Sequence, residues 1–226
     1  MRLGAGMPKA FAPLRGEPLL AYALRGVLGC AEVGHVVIVA PESHCDQARD
    51  LCDEVRNVGN EQGGLDVRGP RVDVVAGGAD RSASVLAGLG ALRPDDGIVL
   101  VHDAARCLAP ADLFTRVIHA VRAGHPAVIP GLRLSDTVKL VDAQGHVLST
   151  PERESLRGIQ TPQGFVREVL EHAYASRESA SDDAGLVERV GGKVRVIDGD
   201  PRALKITTAV DLAVASALLQ DVPYAG

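Results

Sequence analysis

At 226 residues, with 46% apolar and 23% charged residues, the chain has the size and make-up of one α/β domain with its own core. A net charge of −5 argues against a general nucleic-acid binder, and no apolar run approaches the length of a membrane span. Four cysteines without C-x-x-C spacing and seven scattered histidines point to reduced structural thiols and away from a zinc site, and the expected compartment is the cytoplasm.

The chain opens on a glycine-rich turn between two cations, Arg2-Leu3-Gly4-Ala5-Gly6-Met7-Pro8-Lys9. Glycines let the backbone approach an anion, and Arg2 and Lys9 supply the charge that would hold a polyphosphate. A solvated turn is the plainer alternative. Pro8 fixes its own φ and stiffens the approach to Lys9. The spacing is neither a Walker A loop nor a dinucleotide fingerprint, because the third glycine of the latter is missing. Such a loop ordinarily follows a buried strand, so a central strand is expected upstream of Met1.

Short β-branched runs at Val36–Val39, Val72–Val75, Ile98–Val101 and Ala127–Ile129 predict buried strands. Helical patterns over Pro18–Leu28, His44–Val55, Ser82–Leu92 and Ala111–Arg122 alternate with them, and Gln62–Leu65 with Gly69-Pro70 marks a loop. This alternation predicts an α/β, Rossmann-like, doubly wound and mostly parallel sheet. Gly77-Gly78 stands directly after the second strand, and Ser82 or Ser84 could cap the helix that follows. The segment reads either as a tight turn or as a pocket wall in which backbone groups and Ser84 meet a base edge. Asp103 ends the third strand at a carboxyl edge, where open α/β sheets bind ligands, and Arg106 reaches the same region.

After Pro130 the pattern changes. Asp136–Val141 alternates polar and apolar residues, Asp142–Gly145 is a turn, and His146–Leu148 returns. The resulting β-arm, about residues 131–163, is either a surface excursion or a dimerisation device. Helices over Gly164–Ala175 and Asp182–Val190, a strand over Val194–Ile197 and a helix over Thr208–Leu219 complete one domain, residues 1–226. Lys205 lies between Leu204 and Ile206 before the last helix, either snorkelling at the surface or pointing back over the sheet edge.

Taken in order, the segments Arg2-Leu3-Gly4 with Pro8-Lys9, Gly77-Gly78 with Arg81 and Ser84-Val85, His102 to Arg106, Asp136 to Lys139, Arg153 with Leu156, Thr161-Pro162-Gln163 with Phe165, and Leu204 to Thr207 resemble the 2-C-methyl-D-erythritol 4-phosphate cytidylyltransferase family. The resemblance spans nearly the whole chain. It implies a cytoplasmic homodimer using CTP and Mg²⁺ in isoprenoid precursor synthesis, with the metal ligands unassigned. It implies that Arg2, Lys9 and Lys205 act on the triphosphate and the reacting phosphorus, and that Gly78, Ser84 and Asp103 belong to the CTP site. Arg106, Thr137, Arg153, Thr161 and Ser181 are implied around the polyol phosphate, with Thr137 and Arg153 lent by a partner's arm; Ser181 stands where the family usually has threonine. Two other readings are carried forward: a ribitol 5-phosphate cytidylyltransferase, and a nucleotide-binding dimer without turnover. Neither a nucleic-acid nor a membrane partner is expected.

Overall fold

A computed structural model describes residues 7–61, 69–176, 178 and 180–220. Arg2 and the Gln62–Leu65 loop therefore lie outside the described residues. A 3-10 turn, Lys9–Phe11, leads into a small hairpin of β1 (Pro13–Leu14) and β2 (Glu17–Pro18). Helix α1 (Leu19–Leu28) follows, burying Leu20, Ala21, Leu24 and Leu28 along one stripe.

β3 (His35–Ala40) and β4 (Arg71–Ala76) form a parallel pair, with α2 (Cys45–Glu61) as the crossover. α3 (Arg81–Gly90) starts after the glycine pair. Its N-cap is Asp80, whose carboxylate accepts from the Ala83 N–H; neither Ser82 nor Ser84 takes that role. The helix begins one residue earlier than expected, and that places Asp80 at the cap.

A second sheet has the order β11–β6–β10–β5, with β9 on the free end of β6. Its members are β5 (Ile98–Val101), β6 (Ala127–Arg133), β9 (Arg157–Ile159), β10 (Gln163–Val166) and β11 (Arg195–Asp198). β5, β6 and β11 run one way, while β9 and β10 run against them. Three helices pack on this sheet, α4 (Ala111–Arg122), α5 (Arg167–Ala175) and α6 (Asp183–Arg189), while α7 (Ala209–Leu218) packs against β1 and the cluster of Leu14 and Leu19.

β10 corrects the sequence reading, which began a helix at Gly164. Gln163–Val166 is a strand wedged between β5 and β6, and α5 starts only at Arg167. Phe165 is fully buried there, and Gly164 is required: a Cβ at that position would lie 2.4 Å from Val117 of α4. Burial on both faces outweighs the local helical pattern.

The arm leaves β6, turns and returns through β9. Of the expected Asp136–Val141 strand, only β7 (Leu140–Val141) pairs, with β8 (Val147–Ser149). A register shift at Leu140/Val141 interrupts the ladder, so the alternating pattern before it has no partner strand. The turn is fastened by Asp142, whose carboxylate accepts from the Gln144 and His146 N–H groups. Leu140, Val141, Val147 and Leu148 are all exposed. The four cysteines are free and buried.

Candidate active site

Loops at the carboxyl ends of the strands build a cleft of about 560 Å³. Asp103, where β5 ends, is its centre. Its side chain meets Lys205, Nζ to Oδ2 at 2.7 Å. Burial disfavours the charged carboxylate, but Lys205, Arg106 and Arg81 outweigh it, so Asp103 sits below its usual pKa and is ionised at neutral pH.

Lys205 is held by its neighbours. Ile206 is fully buried, and its N–H donates to the Ala105 carbonyl at 2.8 Å. Immediately beyond, Thr208 and Asp211 form a capping box on α7. Asp211 accepts from the Thr207 and Thr208 N–H groups and the Thr207 hydroxyl, which hold its carboxyl down to about 2. The lysine is thus aimed over the sheet edge, which resolves the two readings of that residue.

Arg106 also lines the cleft, but its guanidinium is engaged with backbone. Nη1 donates to the Ala203 carbonyl at 2.8 Å and Nη2 to the Ile159 carbonyl at 3.0 Å. Ala203 lies two residues before Lys205, and Ile159 two before Thr161, so Arg106 ties both segments to β5. Thr161 is buried, and its hydroxyl accepts from the Asp103 N–H at 3.0 Å. That leaves the hydroxyl proton for His102 Nδ1, also at 3.0 Å. Both residues expected to face substrate therefore brace the site in this structure. Burial pushes the His102 imidazole down to about 4, so it is neutral here at physiological pH.

Sequence reasoning quoted Arg81 but gave it no role. Arg81 lines the cleft beside Asp103 and pairs through both terminal nitrogens with Asp183, which is fully buried and also bound by the Tyr174 hydroxyl. Only an arginine presents such a fork, and the buried acid fixes its direction. The available signal was the doublet Asp182-Asp183 at a helix start. Asp182 caps α6, and Gln163 joins the two parts by donating to Asp182 at 2.8 Å and accepting from the Ala184 N–H at 3.1 Å. Ser181 lies on the rim beside them.

The other expected residues that the structure describes, Lys9, Gly78, Ser84, Thr137 and Arg153, do not line this cleft. Lys9 is on the 3-10 turn that packs against the Ala104–Arg106 segment. Gly78 and Ser84 form a self-contained entry to α3: the Gly78 N–H donates to Ser84 Oγ at 3.1 Å, and that hydroxyl donates to the Asp80 carbonyl at 2.8 Å. A Cβ on Gly78 would sit 2.3 Å from Ala83, so only glycine fits. Thr137 and Arg153 are exposed on the arm and lie outside this chain's cleft; Arg153 donates to the Ser135 carbonyl at 2.8 Å.

A cleft with Arg81 and Lys205 converging on an ionised aspartate suits a crowded anion. The family model of 2-C-methyl-D-erythritol 4-phosphate cytidylyltransferase matches residues 1–221. The chain belongs to this family. It is 49% identical over 223 residues to the 2-C-methyl-D-erythritol 4-phosphate cytidylyltransferase of Saccharopolyspora erythraea, covering 97% of this chain and 94% of that protein. It is 50% identical over 219 residues to the bifunctional enzyme IspD/IspF of Clavibacter michiganensis, covering 96% of this chain and 51% of that one. The chain thus spans about half the length of that relative. Among solved structures, the 4-diphosphocytidyl-2C-methyl-D-erythritol synthase of Anaerococcus prevotii superposes with a TM-score of 0.83 at 30% identity, covering 96% of this chain and 92% of that one. The fold is that of these cytidylyltransferases, and the NAD-type fingerprint is absent from the sequence.

Proposed function

We propose that this cytidylyltransferase moves CMP from CTP to 2-C-methyl-D-erythritol 4-phosphate, giving 4-diphosphocytidyl-2-C-methyl-D-erythritol and pyrophosphate. The observation that carries the reading is the Lys205–Asp103 pair, fixed at the carboxyl edge of β5 within a family-matched chain. An oxygen of the acceptor's phosphate monoester attacks the α-phosphorus in line. The bond from that phosphorus to the β-bridging oxygen breaks, and pyrophosphate leaves with the electron pair. The nucleophile is anionic at neutral pH, so the site needs positioning and positive charge rather than a general base.

Lys205 and Lys9 supply charge where it develops on the phosphorus and the leaving group. Arg81, directed by Asp183, orients an anionic group from the opposite wall. Arg106, Thr161 and His102 keep the three cleft segments in register. Asp103 is an ionised carboxylate at the cleft, and Mg²⁺ characteristically takes one or two carboxylates plus substrate phosphates. Asp103 would hold that ion, which supplies neutralisation of the triphosphate. Among the described residues no group of three acids, histidines or cysteines could cage a metal alone, so phosphate oxygens would complete its coordination.

The working unit in this reading is a cytoplasmic homodimer in which each arm offers Thr137 and Arg153 to the other subunit. Among the described residues no helix is long and apolar enough to cross a membrane. A panel measuring pyrophosphate release from CTP with methylerythritol phosphate and with ribitol 5-phosphate tests the assignment. Release with the first alone is expected; preference for the second, or release with neither, would overturn it.

A further inference from the structure

Four cations line the catalytic cleft: Arg81, Arg106, Arg157 and Lys205. Three of them are engaged. Arg81 is matched by the buried Asp183, and Lys205 by Asp103. Arg106 spends both terminal nitrogens on the Ala203 and Ile159 carbonyls, and its Nε is enclosed without a partner. Arg157 differs. It is half-buried, and only its Nη1 is used, donating to the Glu154 and Leu156 carbonyls at 2.7 Å each. Among the described residues it forms no ion pair, and its Nε and Nη2 make no hydrogen bond.

Those two nitrogens are a side of the guanidinium that can meet an oxyanion with two parallel bonds. The carbonyls on Nη1 already hold the group, so less side-chain freedom is lost on binding. The stem is fixed as well. It packs onto Gly131 of β6, where an added Cβ would lie 3.0 Å from the Arg157 Cβ.

A second cation stands beside it. In the antiparallel pair of β6 and β9, Arg133 is directly opposite Arg157, so the two side chains leave the same face of the sheet. Arg133 is exposed and has no carboxylate partner among the described residues. Like charges at opposite positions destabilise a strand pair. No acid relieves them here: Glu188, which also lines the cleft, pairs with neither. Two facing guanidinium groups at a cleft, one with its fork unused, suit a ligand carrying more than one negative charge.

We propose that Arg157, with Arg133 beside it, is a clamp for the phosphate monoester of the acceptor. This role rests on the assigned reaction. The fork takes two of the terminal phosphate oxygens and leaves the third as the nucleophile for the α-phosphorus, and the two positive charges match the dianion. The ligand is the acceptor rather than CTP, because Thr161 and Ser181, implied around the polyol phosphate, line the same cleft, whereas Gly78 and Ser84, implied in the CTP site, do not. Methylerythritol phosphate and ribitol 5-phosphate both carry this group. The clamp therefore selects a polyol phosphate over a free polyol and leaves the carbon skeleton to other contacts.

Steady-state kinetics with CTP and either polyol phosphate test this on the 226-residue protein and its Arg157→Gln, Arg157→Lys and Arg133→Gln variants. The acceptor KM should rise roughly 10- to 100-fold in Arg157→Gln, with kcat and the CTP KM within a few-fold of the parent. Arg157→Lys should recover little, since an ammonium has no fork, and Arg133→Gln should give a smaller rise. A second measurement needs no variant that folds. In the parent protein without CTP, the ¹⁵N-detected Nε–H resonance of Arg157 should shift on adding either polyol phosphate, at concentrations where the free polyol leaves it in place. An unchanged acceptor KM, an equal rise in the CTP KM, full recovery by lysine, or a resonance unmoved by both phosphates overturns the proposal. The resonance is read without turnover, so it decides the clamp even where neither polyol phosphate accepts CMP and the assigned reaction fails.

Discussion

Lys205 is a lysine in an apolar tripeptide whose direction is set by a buried neighbour, a backbone bond to Ala105 and a carboxylate 2.7 Å away. Removing one oriented charge from such a site costs roughly 3–4 kcal/mol, about 10²–10³ in rate. Lys205→Ala and Lys9→Ala should each lower kcat by that factor at saturating CTP; turnover within a few-fold of the parent would make them ordinary surface lysines. His102 gives a pH signature. The unfolded imidazole titrates near its model value of 6.5 and the folded one at about 4, so below about pH 6.5 protons bind preferentially to the unfolded chain. Stability from this residue is complete above that pH, declines as pH falls and levels off below about 4, a loss of about 3 kcal/mol. Imidazole nitrogen shifts should show His102 still neutral at about pH 5.5, and a charged ring there would refute its burial as the cause. At this scale the sequence located five residues that do line the cleft: Asp103, Arg106, Thr161, Ser181 and Lys205. It could not show that the two terminal nitrogens of Arg106 bond to backbone carbonyls, or that the Thr161 hydroxyl bonds to the Asp103 N–H and His102, because those partners lie 53 to 97 positions away.

Among the elements, the arm is the one that the proposed reading assigns to a second subunit. Its hairpin keeps Leu140, Val141, Val147 and Leu148 exposed, and two short strands of this kind have no core of their own. Those side chains fit burial against a second copy, which would bring Arg153 to the other subunit's cleft. Mixing inactive Arg153→Ala and Lys9→Ala proteins should then restore activity in heterodimers, up to about a quarter of the parental value at equal amounts, since half the dimers are mixed and one of their two sites is intact. No recovery in subunits shown to exchange would mean that the arm serves its own chain. The parallel strands and main helices were legible because β-branched runs and amphipathic stripes repeat along the chain; their starts fall within a residue of the expected positions, while α2 runs past the expected Val55 to Glu61 and β6 past Ile129 to Arg133. β10 was not legible. Four residues containing a glycine and leading straight into a helix carry no strand period, and only the packing of Gly164 under Val117 shows why they must be extended.

At the scale of the molecule, two sheets share one carboxyl edge, and the reaction is assigned to that edge. The alternation of strands and helices foretold the doubly wound class, and the ordered set of short segments foretold the family. The division into two sheets was only partly legible. Among the described residues β3 pairs only with β4, and β5 only with β10, so the parallel pair and the five-stranded sheet are separate ladders. The decisive measurement is made on the 226-residue protein. ³¹P NMR of this protein with CTP and 2-C-methyl-D-erythritol 4-phosphate follows every phosphorus at once. The account predicts paired diphosphate resonances of the cytidylyl product appearing in step with equimolar pyrophosphate. CTP and the acceptor both persisting, or CTP hydrolysing to CMP while the acceptor is unchanged, would contradict it.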